Sequence, residues 1–407
     1  MNVNEIIIVG GGLGGLAAAL ALGRTGRPVR VLEQTAEFGA IGYGIQLGPN
    51  VFSMFERLGI KDAVIAAGDI PEACILVDAL TDEEIVRLPT GATLEARFGH
   101  PYLIIHRIDL HQVLIEACRV CPAIALVPGA LVVRFEDRGS SVAVETADGR
   151  IFEGAALIAA DGLRSGIRAA LRDEGEPRQS GYVAHRTLLP MDQVPEAVPR
   201  RNVYLRVGPG FHIVHYPLRH GTLHNIVAVF RTSTYLEKLE TQAYRAEIDR
   251  TYARARPLMH AMLATMDLTR RWPIADRDPI RRWHSGRVAL LGDAAHPTLQ
   301  SLAQGACMAV EDGVCLAHLI ALADGDFPRA FAHYESERCL RTARVQLESR
   351  YLWDLYHADG IARDVARETF AERSEDDMFR CLAWLYGGCR VPMRLHTPAE
   401  NDPRAGL

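Results

Sequence analysis

This chain of 407 residues has no excess of positive charge: 45 Lys and Arg stand against 50 Asp and Glu, a formal net charge of −5. A phosphate polymer finds no general attraction there, so nucleic acid is not an expected partner. No apolar run reaches the roughly 18 to 20 residues that cross a bilayer, because Gly, Arg, Asp or Glu interrupts every candidate. The opening Met1-Asn2-Val3-Asn4-Glu5 lacks the cationic start and small-residue cleavage site of a signal peptide. A soluble, cytoplasmic protein is expected. Cysteines are few, eight scattered from Cys74 to Cys389, which fits reduced thiols and not a disulfide framework. Cys118 and Cys121 form one CxxC pair with no second pair to complete it. No other His/Cys/Asp/Glu group has ligand spacing, so no metal site is expected. There is no internal repeat. With 48 % hydrophobic and 23 % charged residues the composition is globular. At about 100 to 200 residues per domain, the length suits two or three domains or one with a large insertion.

The first fifty residues carry the clearest pattern. Glu5 to Val9 reads as a buried strand that breaks into Gly10-Gly11-Gly12-Leu13-Gly14-Gly15 and then a helix from Leu16 onward. Gly10, Gly12 and Gly15 satisfy GxGxxG: a tight turn, a close approach for a pyrophosphate, and close packing of helix on strand. Free N–H groups and the positive end of the helix dipole then face the phosphates. A second strand, Val29 to Leu32, ends at Glu33, about 20 residues on, where a carboxylate can accept from ribose hydroxyls. The fingerprint occurs once, so one dinucleotide binds permanently and any second one binds transiently.

Two later strands end in acids. Ala155 to Ala160 leads into Asp161-Gly162-Leu163-Arg164-Ser165-Gly166-Ile167-Arg168, and Arg287 to Leu291 leads into Gly292-Asp293-Ala294-Ala295-His296-Pro297. A helix is expected to start at Gly305, after Gln304. A strand-end carboxylate can take a ribityl hydroxyl, and helix-start N–H groups can stabilise negative charge on a reduced ring.

In this order the three motifs resemble the signatures of the single-component FAD-dependent aromatic hydroxylases, a family that includes 4-hydroxybenzoate, salicylate and 3-hydroxybenzoate hydroxylases. The resemblance covers nearly the whole chain. It implies an α/β fold: a Rossmann-like FAD-binding domain, an inserted mixed-sheet substrate domain and a helical C-terminal region. It also implies noncovalent FAD, held by Gly10, Gly12, Leu13, Gly14, Gly15, Glu33, Gln34, Arg107, Asp161, Gly162, Asp293, Gly305 and Ala306. The expected transient electron donor is NADH ahead of NADPH. The expected boundaries are 1–72, 100–178 and 270–350 for the flavin domain, 73–99 and 179–269 for the substrate domain, and 351–407 for C-terminal helices and a frayed polar tail from His396. Those helices are expected to pack in a homodimer.

The substrate side is read from alternation along Phe211-His212-Ile213-Val214-His215-Tyr216, which puts His212, Val214 and Tyr216 on one face. A phenol hydroxylase needs a group that takes the hydroxyl proton, since a phenolate activates its ring. A histidine, with an ordinary pKa near about 6.5, suits that task, although a structural histidine fits the strand equally well. Around these residues the resemblance is to family members that act on 3-hydroxybenzoate. It implies that His212 and Gln300 face the substrate, that Tyr216 and Gln46 help bind it, and that Arg186 anchors its carboxylate. Tyr43 departs from the pattern, standing where many relatives have a smaller residue. The expected reaction converts 3-hydroxybenzoate to 2,5-dihydroxybenzoate with NAD(P)H and O2, as in aromatic catabolism. Salicylate or 6-hydroxynicotinate is the alternative substrate. A non-catalytic binding protein on the same fold is the reading from another class.

Overall fold

Ile6, Ile7, Ile8 and Val9 offer no polar face, so a strand built from them needs cover on both sides. In the computed structural model, which describes residues 4–39, 42–172, 174–232, 241–392 and 394–395, they lie at the centre of a six-stranded sheet. Its order is His284–Ser285, Val288–Leu290, Ala156–Ala159, Ile6–Val9, Val29–Leu32 and Ile124–Val127, parallel except at the two-residue edge strand. The turns after four of these strands bring Gly10, Glu33, Asp161 and Asp293 to the carboxyl end of the sheet, where open α/β sheets bind ligands.

The helices Leu13–Arg24 and Gly305–Leu322 cross at near backbone contact. A Cβ on Gly313 would stand 2.7 Å from the Ala18 nitrogen, and one on Gly14 would stand 3.0 Å from the Ala309 Cβ. The second of these helices corrects one expectation. It has the length and mean apolarity of a membrane span, because its Ala, Leu, Val and Ile outweigh Glu311 and Asp312. It is 72 % buried inside the protein, and both acids are ion-paired to Arg338.

The other large sheet has seven strands, in the order Trp272–Asp276, Arg178–Pro190, Leu223–Arg231, Phe211–Leu218, Val203–Gly208, Ala73–Asp78 and Glu84–Pro89. It is antiparallel apart from the pairing of Val203–Gly208 with Ala73–Asp78. Its edge strand Trp272–Asp276 lies past the boundary expected at 269. The Asp276 carboxylate there binds Arg178 at 2.9 Å and Arg350 at 2.6 Å.

Three helices follow, Phe327–Tyr356, Gly360–Ala371 and Glu375–Tyr386. The first runs unbroken through the boundary expected at 350, because its only proline, Pro328, sits in the first turn where no N–H is needed. The polar tail from His396 lies outside the described residues.

Candidate active site

At the glycine turn, Gly10 has φ +108° and a Cβ there would come within 2.2 Å of the Ala160 carbonyl oxygen. A Cβ on Gly15 would come within 2.0 Å of the Gly10 oxygen, whereas Gly12 faces open space. Two glycines hold the turn tight and the third leaves its outer face clear. No side chain caps the helix that begins at Leu13, so its first N–H groups stay free. Leu13 is buried and the side-chain position of Gly14 is backed by Leu291 and Ala309, so both present only backbone outward.

Glu33 braces this turn: one oxygen accepts from the Gly11 N–H at 2.7 Å and the other from the Thr35 N–H at 2.9 Å. Gln34 is exposed beside it. Asp161 accepts from the Ile167 N–H at 3.4 Å, while its Oδ1 is buried without a partner. Burial raises its pKa, against the hydrogen bond from Ser165. Gly162 follows at φ +80°. Arg168 is a brace: buried, it donates to the Ala294 and Ala295 carbonyls at 3.1 and 2.8 Å and to Glu174. It thereby ties the Asp161 segment to the Asp293 segment.

The carboxylate of Asp293 opens into a cavity of about 930 Å³ and accepts no hydrogen bond from any described residue. The surrounding protein desolvates it and raises its pKa, while His296 and Arg107 act in the opposite direction. Arg107 is half-buried at the start of its helix. Gly305 and Ala306 open the helix whose uncapped N-terminus faces the same cavity. An open glycine turn, two uncapped helix starts and partnerless oxygens on Asp161 and Asp293 fit a ligand that has phosphates and hydroxyl donors.

The seven-stranded sheet floors the cavity. Side chains in direct cross-strand register, Arg186, Val227, Val214, Leu205, Leu76 and Val86, form an apolar row with one cation at its end. The Nη2 of Arg186 donates to the Gln300 Oε1 at 2.7 Å, and its guanidinium lies 5.9 Å from the Tyr43 ring centroid. Tyr43 in turn meets Trp272 edge-on at 5.3 Å, so the unusual tyrosine borders the Arg186 end of the row. The engaged Gln300 carbonyl leaves the amide N–H groups for the cavity. The Tyr216 ring lies where a Cβ on Gly44 would come within 2.5 Å of it. The Tyr216 hydroxyl is hydrogen-bonded to Gln46, whose Oε1 accepts from Tyr102. His212 lines the cavity at 3 % exposure, and burial, with His357 beside it, holds its pKa well below the usual value. Among the predicted substrate residues, Gln46, Arg186, His212, Tyr216 and Gln300 all border this one cavity, as do Asp293, Gly305 and Ala306 from the flavin set. Gly10 to Gly15, Glu33 and Asp161 stand outside it.

A buried ion network backs the segment from Gly292 to Gly305. Asp312 binds His296 at 2.5 Å and Arg338 at 2.6 Å and accepts from the Gly292 N–H at 3.1 Å. Burial works to raise the Asp312 pKa, but His296 and Arg338 hold it low. Arg338 also binds Glu311 at 2.6 Å, and Asn50 links Glu311 to Gln304, the residue before Gly305. Ala303 enters this turn at φ +53°, a left-handed conformation that a non-glycine residue holds only under constraint.

Sequence reasoning missed the wall opposite the sheet. Tyr356, Tyr386, Leu347, Tyr351 and Met378, from the helices after residue 326, line the cavity, and His357 backs it. The only local signal is the aromatic density of Tyr351-Leu352-Trp353 and Tyr356-His357.

A family model described as FAD binding domain matches residues 4–349. The chain is 39 % identical over 382 residues to the 3-hydroxybenzoate 6-hydroxylase of Polaromonas naphthalenivorans (strain CJ2), covering 94 % of this chain and 95 % of the relative. It is 34 % identical over 347 residues to the 6-hydroxynicotinate 3-monooxygenase of Pseudomonas fluorescens, covering 84 % and 89 %. Among solved structures, Klebsiella pneumoniae HpxO complexed with FAD and uric acid matches with a TM-score of 0.82 at 26 % identity, covering 95 % of this chain and 99 % of that one.

Proposed function

The chain belongs to the FAD-dependent aromatic hydroxylases and is a flavoprotein monooxygenase, and from that premise we propose that it converts 3-hydroxybenzoate to 2,5-dihydroxybenzoate. The observation that carries the substrate reading is the grouping of Arg186, Gln300 and His212 on one otherwise largely apolar cavity. A ring bearing one hydroxyl and one carboxylate matches that set.

FAD, when bound, supplies acceptance of a hydride from NAD(P)H and activation of O2. We assign the pyrophosphate to the Gly10–Gly15 turn with Leu13 and Gly14, the ribose to Glu33 and Gln34, and the ribityl chain to Asp293. Arg107, Asp161 and Gly162 would complete that side, and the N–H groups of Gly305 and Ala306 would stabilise negative charge on the ring. Arg186 takes the substrate carboxylate and orients Gln300. The phenol hydroxyl donates to His212 and accepts from the Gln300 amide; once its proton has moved, both groups donate to the phenolate oxygen. A phenolate raises electron density at its ortho and para carbons, and Tyr216, hydrogen-bonded to Gln46, restrains the ring so that the para carbon is presented. The apolar floor excludes water from that carbon.

The test is turnover of a panel of aromatic acids with chromatographic identification of the products. The expected result is 2,5-dihydroxybenzoate from 3-hydroxybenzoate. A 2,3- or 3,4-dihydroxy product, or much faster turnover of salicylate or 6-hydroxynicotinate, overturns the substrate assignment.

A further inference from the structure

His212 meets a second histidine from far along the chain. Its Nδ1 lies 2.8 Å from the Nε2 of His357, and the His357 Nδ1 lies 2.7 Å from the Trp353 carbonyl oxygen. We propose that His357, which does not line the cavity, is a positioning residue that sets the tautomer of His212, so that His212 presents a bare Nε2 to the substrate hydroxyl. The proposal deepens, and rests on, the reading of His212 as the group that takes the phenol proton.

The direction of the chain follows from its end. A carbonyl oxygen only accepts, so the His357 Nδ1 carries a hydrogen. A neutral imidazole has one N–H, and burial keeps His357 neutral, its pKa pushed down to about 3 against the hydrogen bond to Trp353. Its Nε2 is therefore an acceptor, and the His212 Nδ1 must be the donor that faces it. The reverse arrangement needs hydrogens on both His357 nitrogens, a buried cation. With Nδ1 committed, the lone pair of His212 is on Nε2. When substrate binds, the phenol O–H bond breaks, the Nε2–H bond forms, the charge on oxygen is negative and that on the His212 ring positive. His357 Nε2 stabilises that cation as the acceptor from Nδ1.

The surroundings hold the pair in place. The His357 ring lies 4.4 Å from that of Tyr182 and 4.6 Å from that of Trp353, and the His357 carbonyl accepts from the Gly210 N–H at 3.1 Å. The titratable groups against the pair are Tyr182, Tyr252 and Tyr356, all with pKa values raised by burial, so they stay uncharged as His212 changes charge.

The direct test is the 15N spectrum of histidine-labelled holoenzyme without substrate. The expected result is a protonated Nδ1 and bare Nε2 on His212; the opposite tautomer overturns the proposal whatever the substrate is. A second test follows the ultraviolet phenolate band of bound 3-hydroxybenzoate against pH. In His357→Leu the midpoint of that band is expected to rise by about one unit or more. kcat is expected to fall roughly 10²- to 10⁴-fold, from the cost of a misplaced base to that of a wrongly set tautomer, with KM changed less than threefold. His357→Gln, whose carbonyl can still accept from Nδ1, is expected to recover most of both. An unmoved midpoint in the Leu variant, or equal damage from Leu and Gln, overturns the proposal by reducing His357 to packing. Wild-type enzyme that binds the acid only as the neutral phenol overturns the base role of His212 and leaves the 15N result to judge the tautomer. If the Leu variant does not fold, the 15N spectrum of the wild type decides alone.

Discussion

Replacing Arg186 by Met separates the two tasks assigned to it, because only one of them depends on the substrate carboxylate. The guanidinium ends an apolar row, and no described carboxylate is paired with it. Burial lowers its pKa, so the cation is poorly solvated and an arriving carboxylate relieves it. A charge-assisted pair in such a place is worth about 2 to 4 kcal/mol when one partner is removed. At about 1.4 kcal/mol per tenfold, kcat/KM for 3-hydroxybenzoate is expected to fall roughly 30- to 700-fold. The released Gln300 amide adds a smaller loss that any phenol feels. The assay is steady-state NADH oxidation with quantified product, run in parallel on 3-hydroxybenzyl alcohol, which keeps the phenol and lacks the charge. That substrate is expected to lose less than about tenfold. Equal losses on both substrates would show that Arg186 acts through the fold or through Gln300 alone, and the carboxylate reading would be wrong.

Asp293→Ala leaves ribityl hydroxyls without an acceptor, about 1 to 3 kcal/mol, so the FAD dissociation constant should rise roughly 5- to 150-fold in a fluorescence titration; an unchanged value contradicts the assignment. Arg338→Met strands buried Asp312 with only hydrogen bonds to His296 and to the Gly292 N–H. It should cost about 3 to 5 kcal/mol by denaturant unfolding, and a loss below about 1 would mean that the network is dispensable. His185 and His224 have folded pKa values of about 4 and His357 of about 3, each lowered by burial. Because the unfolded chain binds more protons, their contribution is complete above about pH 6.5 and is lost as pH falls toward 4. At pH 5 that is about 2 kcal/mol for each of the three, and a melting temperature that stays level from pH 7 to 5 would refute it.

The dinucleotide half was legible because its signals are local. A strand, a glycine turn and a helix occupy twenty consecutive residues, and Gly10 and Gly15 are required by contacts with Ala160 and with each other's backbone. The alternation that places His212, Val214 and Tyr216 on one face was readable for the same reason, and all three line the cavity. What local pattern cannot express is a meeting across the chain. His212 and His357 are 145 positions apart, and Asn50 and Glu311 are 261 apart. Arg338 looks in sequence like any charge on an amphipathic helix, yet it is fully buried. Arg168 closes the Asp161-Gly162 segment in the sequence with no role legible there, and only the fold shows that it grips two backbone carbonyls more than 120 positions away.

The helices after residue 326 supply both the far wall of the cavity and the Arg338 that neutralises the core helix Gly305–Leu322. The consequence is temporal. As the chain emerges during synthesis, every strand of the six-stranded sheet and the uncapped helix starts at Leu13 and Gly305 are made before any of that wall exists. Until then Glu311 and Asp312 lack Arg338, so burying the central helix against Ala17 and Ala18 would leave Glu311 without a cation. The last helices thus act as a clasp: the same late segment that forms one wall of the cavity also completes the charge balance of the core helix Gly305–Leu322.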